Sequence, residues 1–169
     1  DKVFFQNPDD MKLFLDKKLV QAKSVDILPG SGIDLKRFRP SIFKRNNKFT
    51  FLLISRLISD KGVFEYVEAV RKLKAGGLNA NFQVLGAMDP EHKRGIAEKV
   101  IQEWINSGTI EYLGTTDDVR GYIEEADCIV LPSYREGTPR TLLEAASSAK
   151  PIIATDVPGC NHVVRNNFN

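Results

Sequence analysis

The chain has 169 residues, 42% of them hydrophobic and 27% charged, and its formal net charge is +2. That length and apolar content suit one globular domain with a sizeable core and exclude a disordered or fibrous chain. The charge balance gives no bulk argument for nucleic acid, no apolar run approaches the roughly 18 to 20 residues that cross a bilayer, and the N-terminus lacks a signal peptide's basic start and apolar stretch, so a cytoplasmic protein is expected.

Val3 to Phe5 predicts a short strand, after which Asn7 as cap and Pro8 in the first turn open a helix with Met11, Phe14, Leu15 and Leu19 on one face. A second strand, Val25 to Leu28, runs into Pro29-Gly30-Ser31-Gly32-Ile33-Asp34. Its glycines would let a ligand approach the backbone, but the spacing matches neither the dinucleotide nor the Walker loop, and a plain turn fits as well. Lys36 to Lys48 then carries six basic residues and no acid, with Phe38 and Phe43 among them. Such a patch would attract an anionic membrane surface or a phosphate-rich partner; the alternative is a solvated connector with two anchoring aromatics.

From Phe49 the pattern becomes regular. Strand Phe49 to Ser55, loop Arg56 to Lys61 and a helix to about Lys74, ended by Gly76 and Gly77, make one βα unit, with Val63, Phe64, Val67, Val70 and Leu73 as the helix's apolar stripe. Strand Phe82 to Leu85 begins the next unit, whose helix is predicted to be capped by Asp89, opened by Pro90 and to carry Ile96, Val100, Ile101, Trp104 and Ile105. Strand Thr109 to Leu113, the turn after Gly114 and a short helix Val119 to Glu125 follow.

Cys128 to Leu131 reads as a strand buried on both faces. Ser133 to Gly137 forms a polar turn, Thr138 is a good N-cap and Pro139 fits the first helical position. Arg140 and Glu144 lie four apart on one face of that helix, where the plain reading is a surface ion pair. A last unit has strand Pro151 to Ala154, turn Asp156 to Gly159 and a helical start through His162 and Val164. Strands alternating with helices at this rhythm predict parallel pairing with right-handed crossovers, a doubly wound, Rossmann-like α/β sheet.

In such a sheet ligands lie at the carboxyl ends of the strands, so the turns at Gly30, Arg56, Gly86, Gly114, Ser133 and Asp156 are the places for chemistry. Two of them combine cations with an anion-ready helix start. Arg56 and Lys61 flank the turn after the Phe49 strand, and the Gly137-Thr138 turn would present free N–H groups and a positive dipole end; ordinary solvation of both cations is the alternative. Glu136 and Glu144 do not define a glycosidase pair, because one precedes the helix and the other lies inside it. A carboxylate there would suit ribose hydroxyls. His92 and His162 have no triad partners, Cys128 and Cys160 suggest neither disulfide nor zinc, and no Asp-x-Asp metal motif is present.

The run from Arg135 to Ala145, with glutamates at 136 and 144, resembles the Glu-x7-Glu motif of family 4 glycosyltransferases, retaining enzymes of the two-domain GT-B fold. Other segments are similar in order: Leu-Pro-Gly-Ser-Gly-Ile-Asp with Phe38 and Pro40, Ser-Arg-Leu with Asp-Lys-Gly, Phe-Gln-Val-Leu-Gly, Tyr-Leu-Gly, Ala-Asp-Cys-Ile-Val-Leu-Pro-Ser and Pro-Ile-Ile-Ala-Thr-Asp-Val-Pro-Gly. The resemblance spans nearly the whole chain, as the donor-binding C-terminal half; the start at Asp1 and the end at Asn-Asn-Phe-Asn are those expected of an excised domain lacking the N-terminal acceptor half. It implies that Arg56 and Lys61 hold the donor diphosphate, that Glu144 binds the ribose, and that Glu136 contacts sugar hydroxyls near the reacting carbon. Gly137, Thr138 and Arg140 would offer N–H groups to phosphate or sugar, and Leu113 and Gly114 would lie against the base. Pro139 stands where many relatives have glycine and cannot donate a hydrogen bond. Relatives in surface-polysaccharide assembly are similar in having proline followed by a basic residue, which implies a UDP-sugar donor, a lipid-linked acceptor and peripheral contact with the inner membrane face. No metal or separate cofactor is implied. Two alternatives remain at this point: a nucleotide-sugar epimerase of the same fold, and a non-catalytic nucleotide-binding or receiver-like module.

Overall fold

A computed structural model describes residues 1–28, 30–40 and 47–166. Two parallel sheets are present among them. The smaller pairs β1 (Val3–Phe5) with β2 (Val25–Ile27), joined through α1 (Pro8–Asp16). The larger contains β3 (Phe49–Ile54), β4 (Ala80–Leu85), β5 (Glu111–Tyr112), β6 (Cys128–Leu131) and β7 (Ile152–Ala154), in the spatial order β5-β4-β3-β6-β7 with every pair parallel. Its crossover helices are α2 (Val63–Ala75), α3 (Glu98–Asn106), α4 (Arg120–Glu125) and α5 (Arg140–Ser147). The predicted doubly wound sheet is therefore what forms, and the strand order reverses between β3 and β6. A crevice opens at that point beyond the strands' carboxyl ends.

Alternation along the strands explains the three layers. Leu53 of β3 stands beside Val84 of β4 and Val130 of β6, and these pack with Phe82, Cys128, Val67, Val70, Ile101 and Trp104 under α2 and α3. Leu52, Ile54, Leu85 and Ile129 point the other way, onto Ile123 and Ala126 around α4, Ala145 of α5 and Phe38. With both faces covered, β6 reads as an unbroken apolar run, whereas β4 keeps Asn81 and Gln83 only partly buried.

Several elements differ from the sequence reading. α1 is capped by Asn7, whose side chain accepts from the Asp10 N–H, but it stops at Asp16, and Leu19 lies beyond it with 63% exposure. Lys18 at φ 55° breaks the periodicity that Leu19 had extended. Phe64 and Leu73 flank the buried stripe of α2 and stay exposed, although Phe64 meets Trp104 edge-on with ring centroids 5.3 Å apart. Asp89 and Pro90 do not open α3, which starts eight residues later at Glu98. The intervening segment pairs instead with the loop after β3: Ile96 N–H donates to Leu57 carbonyl at 3.2 Å, and Ser59 N–H to Arg94 carbonyl at 2.8 Å. The last predicted helix is a single 3₁₀ turn, Cys160–His162.

Candidate functional site

Each main constituent of the site comes from the carboxyl end of a strand. Beyond β3 the chain passes Arg56, makes a 3₁₀ turn over Ser59–Lys61 and enters α2 through Gly62 at φ 69°. A Cβ at Gly62 would lie 2.0 Å from the Pro132 carbonyl oxygen, so glycine lets this turn pack on the end of β6. The contact places Lys61 beside Glu136: Nζ to Oε1 is 2.6 Å, with the two side chains 21% and 12% exposed. Two residues 75 apart in sequence thus form a largely buried, charge-assisted pair. Arg56 stays exposed, 3.5 Å from Asp89.

The turn into α5 departs from its predicted capping. Thr138 is not the N-cap, because its Oγ1 donates to the Gln6 carbonyl at 3.3 Å. Pro139, extended at φ −71° and ψ 108°, occupies the cap position, and its carbonyl accepts from Leu142 and Leu143. Proline has no side-chain acceptor to offer, so α5 begins without a side-chain cap. No described residue accepts from the N–H of Gly137, Thr138, Arg140 or Thr141. Four donors with the positive end of the helix dipole behind them make a cradle for an anion. Gly30 lies against this turn, since a Cβ there would sit 3.0 Å from Thr138 Cβ, whereas a Cβ at Gly32 would meet nothing within 4 Å.

One turn into α5, Glu144 is 7% exposed. Its single described charged partner is Arg140, 3.6 Å away and 65% exposed, so the expected surface pair has one buried member. Burial pushes the Glu144 carboxyl above its ordinary range, and the Arg140 guanidinium only partly opposes this. The residue lines a cleft of about 310 Å³ together with Arg37, Phe38, Ile54, Asp117, Asp118 and Arg140. Leu113 packs into the same apolar cluster as Phe38 and Ile54, and Gly114 at φ 76° accepts from the Gly86 N–H at 2.8 Å. The strand end proposed for the base and the carboxylate proposed for the ribose therefore border one cluster.

Sequence reasoning missed Arg37, Phe38, Asp117 and Asp118 as cleft residues. The turn after β5 is among the strand ends marked for chemistry, but only Leu113 and Gly114 are given a task there, and the approach of Asp117 and Asp118 to Glu144 depends on the fold. Phe38 is 9% exposed and its carbonyl accepts from Ser147 Oγ of α5, so it anchors the connector in the core and is not free for a membrane. Phe43, Lys44 and Arg45 of the basic stretch lie outside the described residues, as does Pro29. Cys128 and Cys160 are buried thiols, each pushed up to about 11 chiefly by desolvation. Among the described residues no group of three or more His, Cys, Asp or Glu is placed to hold a metal ion, and no helix is long and apolar enough to cross a membrane.

The family profile described as glycosyl transferases group 1 matches residues 34–169, which include Arg56, Lys61, Glu136, the start of α5 and Glu144. This chain belongs to that family. Among its relatives is the N,N'-diacetylbacillosaminyl-diphospho-undecaprenol alpha-1,3-N-acetylgalactosaminyltransferase of Campylobacter jejuni, 30% identical over 89% of this chain and 41% of the relative. Another is the UDP-Gal:alpha-D-GlcNAc-diphosphoundecaprenol alpha-1,3-galactosyltransferase of Escherichia coli, 26% identical over 95% of this chain and 44% of that protein. The chain thus spans less than half the length of either. The fold matches the glycosyltransferase from Rickettsia africae with a TM-score of 0.82 and 21% identity, over 99% of this chain and 48% of the other. It matches Anabaena HepE, crystallised with UDP and glucose, with a TM-score of 0.82 and 20% identity over the same shares of the two chains. The two matches show that the architecture is shared with these larger proteins, in keeping with the fold expected from the Glu-x7-Glu resemblance.

Proposed function

We propose that this chain is the donor-binding half of a glycosyltransferase that moves a sugar from a UDP-sugar to a lipid-linked or polysaccharide acceptor. The observation that carries the reading is the juxtaposition, beyond the carboxyl ends of β3 and β6, of the α5 N–H cradle, the Lys61–Glu136 pair and the buried Glu144 carboxylate. Each suits a different part of the donor. Arg56, Lys61 and the start of α5 would face the diphosphate, whose charge grows as the bond to the anomeric carbon breaks and the electron pair stays on the leaving phosphate oxygen. Glu136 would lie at the sugar hydroxyls, Glu144 at the ribose, and Leu113 and Gly114 at the base. Stabilisation by fixed cations and a helix dipole is preorganised and requires no bound metal in this scheme.

The acceptor would be held mainly by an N-terminal domain outside this chain, and transfer with retention of anomeric configuration belongs to the same reading. Two relatives named for diphospho-undecaprenol substrates support a lipid-linked acceptor. An acceptor of that kind would bring the protein to the inner membrane face as a peripheral contact, with the basic stretch Lys36 to Lys48 as its candidate surface. A receiver-like module is disfavoured, since such a module needs an acidic cluster at the strand ends and the turn directly after β3 offers Arg56 instead.

The reading is tested by titrating UDP, GDP and ADP into this chain calorimetrically, with and without EDTA. UDP should bind more tightly than GDP or ADP, and its affinity should be unchanged by the chelator. Absence of UDP binding, or binding that EDTA abolishes and manganese restores, contradicts it.

A further inference from the structure

α1 buries none of its residues, yet its cap, Asn7, is 2% exposed. Capping alone does not require this, since a cap's side chain needs only to accept from the first-turn N–H groups. Asn7 Oδ1 performs that task, accepting from Asp10 N–H at 2.8 Å. Its Nδ2 does something else. Besides Asp10 Oδ2 at 2.9 Å, it meets two consecutive carbonyl oxygens on the far side of the sequence, Glu136 at 3.2 Å and Gly137 at 3.0 Å.

Those two carbonyls belong to the peptides whose N–H groups are on Gly137 and Thr138. In a planar trans peptide the carbonyl and the N–H point in opposite directions. Drawing both carbonyls towards Asn7 therefore turns both N–H groups away from it, side by side, and no described residue accepts from either. Two such N–H groups beside the start of a helix are placed to donate to an anion. The rest of the junction reinforces the setting. Arg135 pairs with Asp10, Thr138 Oγ1 donates to the Gln6 carbonyl, and a Cβ at Gly137 would fall 2.0 Å from Gln6 Oε1. From the opposite side Glu136 N–H donates to the Pro158 carbonyl at 3.0 Å.

We propose that Asn7 is a positioning residue: its carboxamide orients the Gly137 and Thr138 N–H groups towards the donor's sugar-proximal phosphate. The ligand end of this statement rests on the function proposed above. The phosphate next to the sugar is the one meant, because both N–H groups adjoin Glu136, the residue assigned to the sugar, and precede the helix that carries the ribose carboxylate.

Asn7→Ser separates capping from positioning, since serine keeps a cap oxygen but cannot reach the two carbonyls. Asn7→Asp keeps size and cap while replacing the donor by a carboxylate that repels them. In ¹⁵N relaxation measurements without ligand, the Gly137 and Thr138 amides should be rigid in the parent chain and mobile in both variants. UDP affinity should fall about 5- to 30-fold, the loss of two ordinary hydrogen bonds, while UMP affinity changes less than twofold. Melting temperatures report any general loss of fold in either variant. Unchanged amide dynamics in both variants, or equal losses for UMP and UDP, overturn the positioning role. Should the parent chain not bind UDP, the nucleotide reading fails, and the amide dynamics alone decide whether Asn7 orders this turn.

Discussion

Replacing Glu144 by Gln should weaken nucleotide binding while leaving the unliganded fold as stable or more so. In the free protein the carboxylate is buried, and its one described ion-pair partner, Arg140, sits 3.6 Å away on a largely exposed side chain. An exposed guanidinium at that distance returns about 0.5 kcal/mol or less. Burial exceeds this attraction, which is why the carboxyl is raised from its ordinary 4.5. A raised carboxyl means that the folded state holds its proton more tightly than the unfolded state, so stability declines as pH rises through the interval from 4.5 to the folded value and stays lower above it. Glutamine does not titrate. The variant and the parent should therefore melt together near pH 4, and the variant should melt at the same or a higher temperature at pH 8. Binding should move in the opposite direction. A carboxylate accepting from two ribose hydroxyls contributes about 1.5 to 3 kcal/mol, and an amide recovers part of it, so UDP and every UDP-sugar should lose about 10- to 100-fold in affinity. Calorimetry at pH 7.5 with melting curves at pH 4 and pH 8 measures both effects. UDP affinities within twofold of each other, or a variant clearly less stable at pH 8, would refute the reasoning and reduce Glu144 to a structural ion-pair member.

Other outcomes follow from the same geometry. Arg56→Ala should lower UDP affinity about tenfold or more with little change in melting, as its contact with Asp89 is exposed; calorimetry showing no loss would place the phosphates elsewhere. Lys61→Ala should weaken UDP comparably and also destabilise the fold by about 1 to 3 kcal/mol, because Glu136 is left with its charge largely buried; a denaturant midpoint equal to the parent's would count against the pair. Glu136→Gln should leave UDP affinity nearly intact and chiefly reduce turnover in the complete two-domain enzyme; a UDP loss equal to that of Glu144→Gln would merge the two assignments. Gly62→Ala should cost about 2 kcal/mol or more, a drop of roughly 4 to 8 °C, from the left-handed backbone and the Pro132 clash; a shift under 1 °C would mean the turn relaxes freely.

The strands and their parallel order were legible because residues 51–54 and Cys128–Leu131 are short apolar runs, residues 82–85 are apolar but for Gln83, and helix-length segments separate them. What failed were local rules overruled by distant partners. Asp89-Pro90 is a good helix opening, but the loop after β3 offered Ile96 and Arg94 backbone partners that a helix would have forfeited. Thr138 is a better cap than Pro139 in isolation, and lost that task because the Gln6 carbonyl, more than 130 residues earlier, took its hydroxyl. The Glu-x7-Glu spacing identified both carboxylates but could not show that Lys61 would pair with Glu136, since that contact depends on Gly62 packing against the end of β6. The linkage of Asn7 to the same turn was invisible for the same reason.

The central claim is that a uridine diphosphate occupies the crevice between β3 and β6. Two-dimensional ¹H–¹⁵N NMR of this chain titrated with UDP locates the ligand directly. The largest shifts should fall on the amides of Arg56, Gly86, Leu113, Gly114, Gly137, Thr138, Arg140 and Thr141, with saturation behaviour common to all of them. Shifts concentrated instead along the β7 edge around Asp156 and Asn161, or none at millimolar UDP, would contradict it.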